Sequence, residues 1–288
     1  MTARPTSIRI FLADGAPDWI RIVDKSNWVG RAVVASRAQL GLALQRDEMG
    51  RPGVYLLLGP GEGGAERLYV GEADVLRERM KQHAGRKDFW TRFVAFTSTD
   101  ESLNKAFVRY LEARLIALAK AANQWELDNG SAPAEPPLSE ADRADAEWFL
   151  AEMLVIYPLL GVDAFEAAAT DEPASTGAEL LHLSERGSEA RGREVADGFV
   201  VLKGSRARAS ETHSIHDYMR DLRKQLLERG VLVAEADHLV FTQDFRFASP
   251  SMAAGVVVGG SANGRKAWRD EHGVMLKQLQ DARAEAGT

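Results

Sequence analysis

Tyr55 and Tyr69 lie in two short apolar runs, GVYLLL and LYV, on either side of a glycine-rich stretch, and the segment after them carries Arg77, Arg79, Lys81 and His83. Arg79 and His83 are four residues apart and so share one face of a helix. Phenols followed by a cluster of cations suit contact with phosphate, and phosphodiester cleavage is a reaction such residues could serve. Hydrolysis of a phosphodiester needs a nucleophile deprotonated near neutral pH, charge stabilisation at the equatorial oxygens and help for the leaving oxygen. Tyrosine, with an ordinary pKa of about 10, is a poor base unless a nearby cation favours its phenolate or a metal lowers the pKa of the water itself. Within residues 77–92 six basic residues face two acidic ones, and local basicity governs contact with phosphates. The same charges also fit a solvated helix face, and strand tyrosines are commonly half-buried sheet residues.

The positioning elements follow from pattern. Residues 53–58 and 68–70 read as strands joined by LGPGEGGAE, a flexible hairpin tip in which glycine supplies positive φ at little steric cost. Residues 73–84 read as a helix, 90–98 as a third strand, and 103–122 as a long helix with Leu103, Phe107, Tyr110, Leu111, Leu115 and Leu118 on one face. GPGEGG lacks the Gly-Lys-Ser/Thr ending of a nucleotide loop, and no helix follows it. Upstream, residues 7–12 and 19–23 flank the turn signal Asp14-Gly15 and form a small β element, followed by a third apolar stretch at 28–34 and Ser36 as an N-cap. Downstream, Ser139 caps an apolar helix that ends near Gly161. Residues 166–192 have a linker composition. Strand 198–204, helix 214–229, the Ser249-Pro250 cap pair and a final helix after Asn263-Gly264 complete the chain.

The 288 residues are 45% hydrophobic and 27% charged, enough to bury a core in two domains. There is no cysteine, which excludes disulfide scaffolds and thiolate metal sites. His213 and His216 have no third ligand in sequence reach, so a zinc site from them is not expected. No run of about 18 apolar residues occurs and the N-terminal apolar run is short, so the expected location is cytoplasmic, with no membrane partner. The net charge of −6 hides a block structure: +2 over residues 1–49, +3 over 50–125, −13 over 126–190 and +2 over 191–288.

GVY at Gly53–Tyr55, YVG at Tyr69–Gly71, Arg79, His83 and Glu112 in YLEARL, set in ββαβα order, resemble the GIY-YIG nuclease domain over about residues 50–130. The resemblance implies a fold of α+β type: a small antiparallel three-stranded sheet flanked by helices, with an N-terminal β element at 1–49. It also implies catalytic residues Tyr55, Tyr69, Arg79, His83 and Glu112, with Tyr69 or Tyr55 as base or water-positioner, Arg79 on the phosphate and Glu112 holding Mg2+ or Mn2+. Glu72 and Asp74 depart from the family, which commonly has Lys or Ser after the second glycine. A family asparagine after the second helix corresponds to Asn123 or Asn129.

FRFASPSMAAGVVVGGSANGRKAWRDEHGVMLKQLQ is similar to a module of no assigned function that often follows GIY-YIG domains, and distantly to a module associated with restriction enzymes and adenine methylases. The expected organisation is a nuclease-like domain with trailing helix at 50–165, an acidic linker at 166–192 and a separate α+β module at 193–288. Expected nucleic-acid contacts are Lys81, Lys87 and Arg92 in the first domain and Arg265, Lys266 and Trp268 in the module. Together these imply a metal-dependent DNA endonuclease, of restriction or mobile-element kind. The alternative is a non-catalytic nucleic-acid-binding or regulatory protein that keeps the fold.

Overall fold

The computed structural model describes residues 5–61, 65–130, 133–166, 179–185, 187–195, 198–213 and 215–286. It is a mixed α/β protein with two seven-stranded sheets and, among the described residues, eight α-helices. The chain divides into two compact units; Met1–Gly61 with Glu66–Phe165 make the first, and Glu166–Thr288 belong to the second.

The first unit runs β1 (Ile8–Leu12), β2 (Arg21–Lys25), β3 (Gly30–Ser36), α1 (Leu40–Ala43), β4 (Gly53–Pro60), β5 (Glu66–Ala73), α2 (Leu76–Arg86), β6 (Arg92–Ser98), α3 (Lys105–Ala122), β7 (Glu126–Leu127) and α4 (Glu140–Ile156). Its sheet order is β1-β2-β3-β6-β4-β5-β7. The expected three-stranded sheet is corrected to seven strands, and the reason lies at β6. That strand would leave an apolar edge unpaired beside β4, and β3 covers it in antiparallel register from Gly30↔Ser98 to Ser36↔Arg92. The N-terminal β element is therefore part of the same sheet and not a unit ending at residue 49.

Period-2 alternation sorts this sheet into two apolar faces. Tyr55, Leu57, Phe93 and Ala95 pack with Leu76 and Met80 of α2. Val54, Leu56, Leu68, Val70, Val94 and Phe96 pack on the other side with Leu111, Leu115 and Ile116 of α3 and with Phe149, Leu150 and Met153 of α4. Asn104 caps α3 by accepting from the Phe107 N–H at 3.1 Å, and Asn123, left-handed at φ 47°, ends it. Ser139 caps α4, accepting from the Asp142 N–H at 3.1 Å. Much of the acidity here is paired: Glu147 accepts from Tyr110 at 2.7 Å and from Arg114 at 2.5 Å, and Glu152 lies 2.6 Å from Lys25.

The second unit contains β8 (Leu181–Glu185), β9 (Ser188–Val195), β10 (Gly198–Val201), β11 (Arg206–Arg208), α5 (Asp217–Glu228), β12 (Leu232–Glu235), β13 (His238–Phe241), β14 (Phe245–Phe247), α6 (Pro250–Val258), α7 (Gly264–Ala267) and α8 (Leu276–Ala286). Strands follow the order β12-β13-β11-β9-β10-β14, with β8 on β9. β8 and the start of β9 fall inside the expected linker, which is corrected there: Leu181, Leu183 and Ala190 alternate into the core and require a strand pair. The rest of that linker between 167 and 178, the hairpin tip at 62–64 and the expected helix start at 214 lie outside the described residues. Among the described residues no helix is long and apolar enough to cross a membrane.

Candidate active site

Antiparallel pairing sets Tyr55 opposite Gly71 and Leu57 opposite Tyr69, so both phenols stand on the α2 face of the sheet. Their ring centroids are 6.3 Å apart, and the His83 ring lies 5.4 Å from Tyr55 and 5.2 Å from Tyr69. The Tyr55 hydroxyl sits 2.6 Å from His83 Nε2, and Arg79 Nε donates to the same oxygen at 3.3 Å. Burial, and then the charges of Arg79, Lys87 and Arg86, bring the His83 pKa down to about 4. A neutral His83 therefore accepts the Tyr55 proton at Nε2, while the phenol oxygen accepts from Arg79. His83 Nδ1 is buried with no hydrogen-bond partner among the described residues. Burial above all, with Tyr69 adding to it, pushes the Tyr55 phenol upward, and Arg79 pulls it back only in part.

Tyr55 is wholly buried, and its ring crosses Gly71: a Cβ there would lie 2.2 Å from the Tyr55 hydroxyl. At the other tripeptide a Cβ on Gly53 would lie 2.3 Å from the Phe96 carbonyl and 2.8 Å from Leu76 Cδ1. Both glycines are thus required by close approach. Gly71→Ala is expected to cost about 1–3 kcal/mol by overpacking and to break the Tyr55–His83 contact. Thermal denaturation checks this, and an unchanged midpoint would contradict it.

The neutral, buried His83 also gives stability a pH dependence. Its folded pKa, about 4, stands below the ordinary value of 6.5. Between those values the unfolded chain binds a proton that the folded chain refuses, so stability falls as pH drops through this window, by about 3 kcal/mol once pH is below both. In His83→Gln, which keeps a hydrogen-bonding side chain for Tyr55, the loss between about pH 7 and about pH 4.5 should shrink by roughly 2 kcal/mol in urea denaturation. An identical acid loss in both proteins would contradict the assignment.

Glu112 approaches from α3 at the open edge of β5. β7 pairs only with Arg67 and Leu68, and among the described residues the edge beyond has no strand neighbour. Asn129 closes it at Val70, donating from Nδ2 to the carbonyl at 2.8 Å and accepting at Oδ1 from the N–H at 2.9 Å. Beyond it the backbone of Glu72 favours the charged form of the Glu112 carboxyl. Burial and then the charge of Glu72 raise Glu112 to about 7, against Arg79, which pulls it down. Arg79 thus lies within electrostatic reach of Tyr55, Tyr69 and Glu112 together. Of the two asparagines the sequence leaves open, Asn129 stands beside the tyrosine strand and Asn123 ends α3.

The basic residues divide. Arg77 is committed to the chain, donating to the carbonyls of Leu44 at 2.5 Å and Arg46 at 3.1 Å. Lys81 is exposed and pairs with Glu78 at 3.0 Å. Lys87 lies 4.1 Å over the Tyr69 ring and is ion-paired with Asp128, which also binds Arg67. Asp128 carries no sequence signal that would single it out, since its role depends on β7 bringing it beside β5. Arg92, expected as a nucleic-acid contact, acts in the fold as a tether: it donates to the Leu160 carbonyl at 2.8 Å and the Gly161 carbonyl at 2.9 Å, just after α4. Arg92→Ala is expected to cost about 2 kcal/mol and to leave nucleic-acid affinity unchanged; a loss of affinity without a loss of stability would contradict this. Asp74 is taken up by Lys105 at 2.7 Å.

In the second unit Trp268 is corrected from a stacking platform to a core residue. It is wholly buried, 4.4 Å from the Phe199 ring centroid, and donates from Nε1 to the Pro250 carbonyl at 3.0 Å. Arg265 is exposed and bonded to Gln280 and Asp281, and Lys266 is exposed. Residues 181–280 match DUF4357, a domain of unknown function. The DUF4357 match meets the expectation of a C-terminal module without assigned function and starts at β8, ahead of the expected boundary at residue 193. No curated protein and no solved structure matches the chain.

Proposed function

We propose that the first unit is a metal-dependent phosphodiesterase site, a DNA endonuclease of GIY-YIG type. The observation that carries this is the convergence of Tyr55, Tyr69, Arg79 and His83 on one sheet face with Glu112 at the adjoining edge of β5. In this reading Tyr55 is the positioning phenol: it is buried, its proton is engaged by His83, and it orients Arg79. Tyr69, half-buried and next to Arg79, holds the attacking water. Arg79 has N–H groups beyond the one on Tyr55, and these bind the non-bridging oxygens as charge builds there.

The donor set fits a hard divalent cation. Glu112 and Glu72 crowd negative charge at one half-buried edge, and Mg2+ asks for one or two carboxylates with water and substrate phosphate as the remaining ligands. Among the described residues no cluster of three or more His, Asp or Glu side chains provides a protein cage. Mg2+ or Mn2+ would be held by Glu112 with Glu72 beside it, and when bound would stabilise the leaving oxygen.

Glu72 also favours a second reading, a nucleic-acid-binding protein without turnover, because it adds negative charge where an anionic substrate must come. Supercoiled plasmid separates the two. Nicked circles with Mg2+ or Mn2+, abolished by chelator, are the expected result; plasmid binding without nicking in either metal would replace the first reading by the second.

A further inference from the structure

The DUF4357 sheet buries one face only in its helical core. Leu181, Leu183, Ala190, Phe199, Val201, Ala207 and Leu239 pack there with residues of α5 and α6 and with Leu276 of α8. The alternate positions point the other way. On the part of that opposite face formed by β8, β9 and β11 stand His182, Glu189, Arg191 and Arg206, all exposed. A backbone bridge pairs His182 with Arg269, and the β8–β9 register pairs His182 with Arg191. Arg269, His182 and Arg191 therefore form one cross-strand row, with neighbours about 5 Å apart. Arg206 lies one strand further, opposite Glu189.

Charge pairing differs between the two sides of the sheet. On the helices Arg220 pairs with Glu211 and Asp217, Lys224 with Glu228, Arg265 with Asp281, and Arg283 with Glu179 and Glu194. Among the described residues Arg191, Arg206 and Arg269 make no salt bridge; the one side-chain bond of Arg269 is to the Gly273 carbonyl at 2.9 Å. Asp237 lies within electrostatic reach of Arg206 without an ion pair, so the three sheet-face arginines remain available to a partner outside the chain. On its strands the patch has Glu189 as its one acidic residue, with Asp237 beside Arg206 in the turn before β13, and no Phe, Tyr or Trp on which a base could stack. Such a surface meets phosphates and not bases.

We propose that this face of the DUF4357 domain binds the sugar-phosphate backbone of duplex DNA, without regard to sequence, through Arg191, Arg269, His182 and Arg206. This binding goes beyond the nuclease reading and does not require turnover; only the choice of DNA over RNA rests on it. It also moves the expected contact away from Arg265, Lys266 and Trp268.

The test is salt-dependent binding of a short labelled duplex by the full chain in the presence of chelator, which prevents any cleavage. Each lost phosphate contact lowers the slope of log affinity against log salt by about 0.9, so Arg191→Gln/Arg269→Gln should flatten it by about 2 and weaken low-salt binding roughly tenfold. Arg265→Gln/Lys266→Gln should keep the parent slope. If the double variant fails to fold by circular dichroism, Arg191→Gln alone should flatten the slope by about 1. An unchanged slope, an equal loss in the Arg265/Lys266 pair, equal affinity for polyglutamate, or preference for duplex RNA would each overturn the proposal. Failure of plasmid nicking with this binding intact would overturn the nuclease reading alone.

Discussion

Arg79→Ala is expected to slow single-turnover cleavage by at least about 100-fold, the equivalent of about 3 kcal/mol of transition-state stabilisation. Arg79 reaches the Tyr55 hydroxyl at 3.3 Å and is electrostatically coupled to Tyr69 and Glu112, so it sits where charge on a transferring phosphoryl group would grow. Binding should suffer far less, since one phosphate contact changes the salt slope by only about 1. The fold should persist because the Tyr55 phenol keeps its 2.6 Å contact with His83. Lys81→Ala supplies the contrast: exposed and paired only with Glu78, it should weaken affinity and leave turnover at saturation little changed. If Arg79→Ala behaves like Lys81→Ala in both assays, the arginine only positions the substrate and the site does not hydrolyse as described.

Glu112→Gln should abolish metal-dependent cleavage, because an amide keeps the shape of the side chain but removes the hard anionic oxygen that a divalent cation requires. Stability should be equal or greater. A carboxyl whose folded pKa stands above its unfolded one costs stability as pH rises through the unfolded value, and the amide removes that cost. Loss of cleavage with an undiminished thermal midpoint is the expected pair of results. Unchanged cleavage by a folded Glu112→Gln protein would contradict the metal assignment.

The hairpin, the two helices and the third strand around the tyrosines were legible because their apolar periods are local. Strand pairing is not local. Nothing in the run from Gly30 to Ser36 says that it will cover β6, and so the sheet's width was missed. The same holds for Asn129 and Asp128, whose places depend on β7 lying parallel beside β5. Spacing already favours Arg79 over Arg77, whereas the carbonyls of Leu44 and Arg46 that engage Arg77 come from a distant stretch and carry no local signal. Trp268 and Arg92 show a common difficulty: a side chain that suits a nucleic acid also suits a core or a helix end, and Trp268 is buried in the core while Arg92 holds carbonyls after α4. The acidic stretch read as linker because Glu185, at the strand end, and Glu189 are exposed, while the alternating Leu181, Leu183 and Ala190 that make it a strand pair are few.

The most direct test follows an end-labelled DNA duplex under single-turnover conditions with Mg2+ or Mn2+, for the parent chain, Arg79→Ala and Glu112→Gln in parallel. Hydrolysis by the described cluster predicts product from the parent that chelator suppresses, a rate lower by at least about 100-fold for Arg79→Ala, and none for Glu112→Gln. Product formed at the parent's rate by both variants, or no product from the parent in either metal, would contradict it.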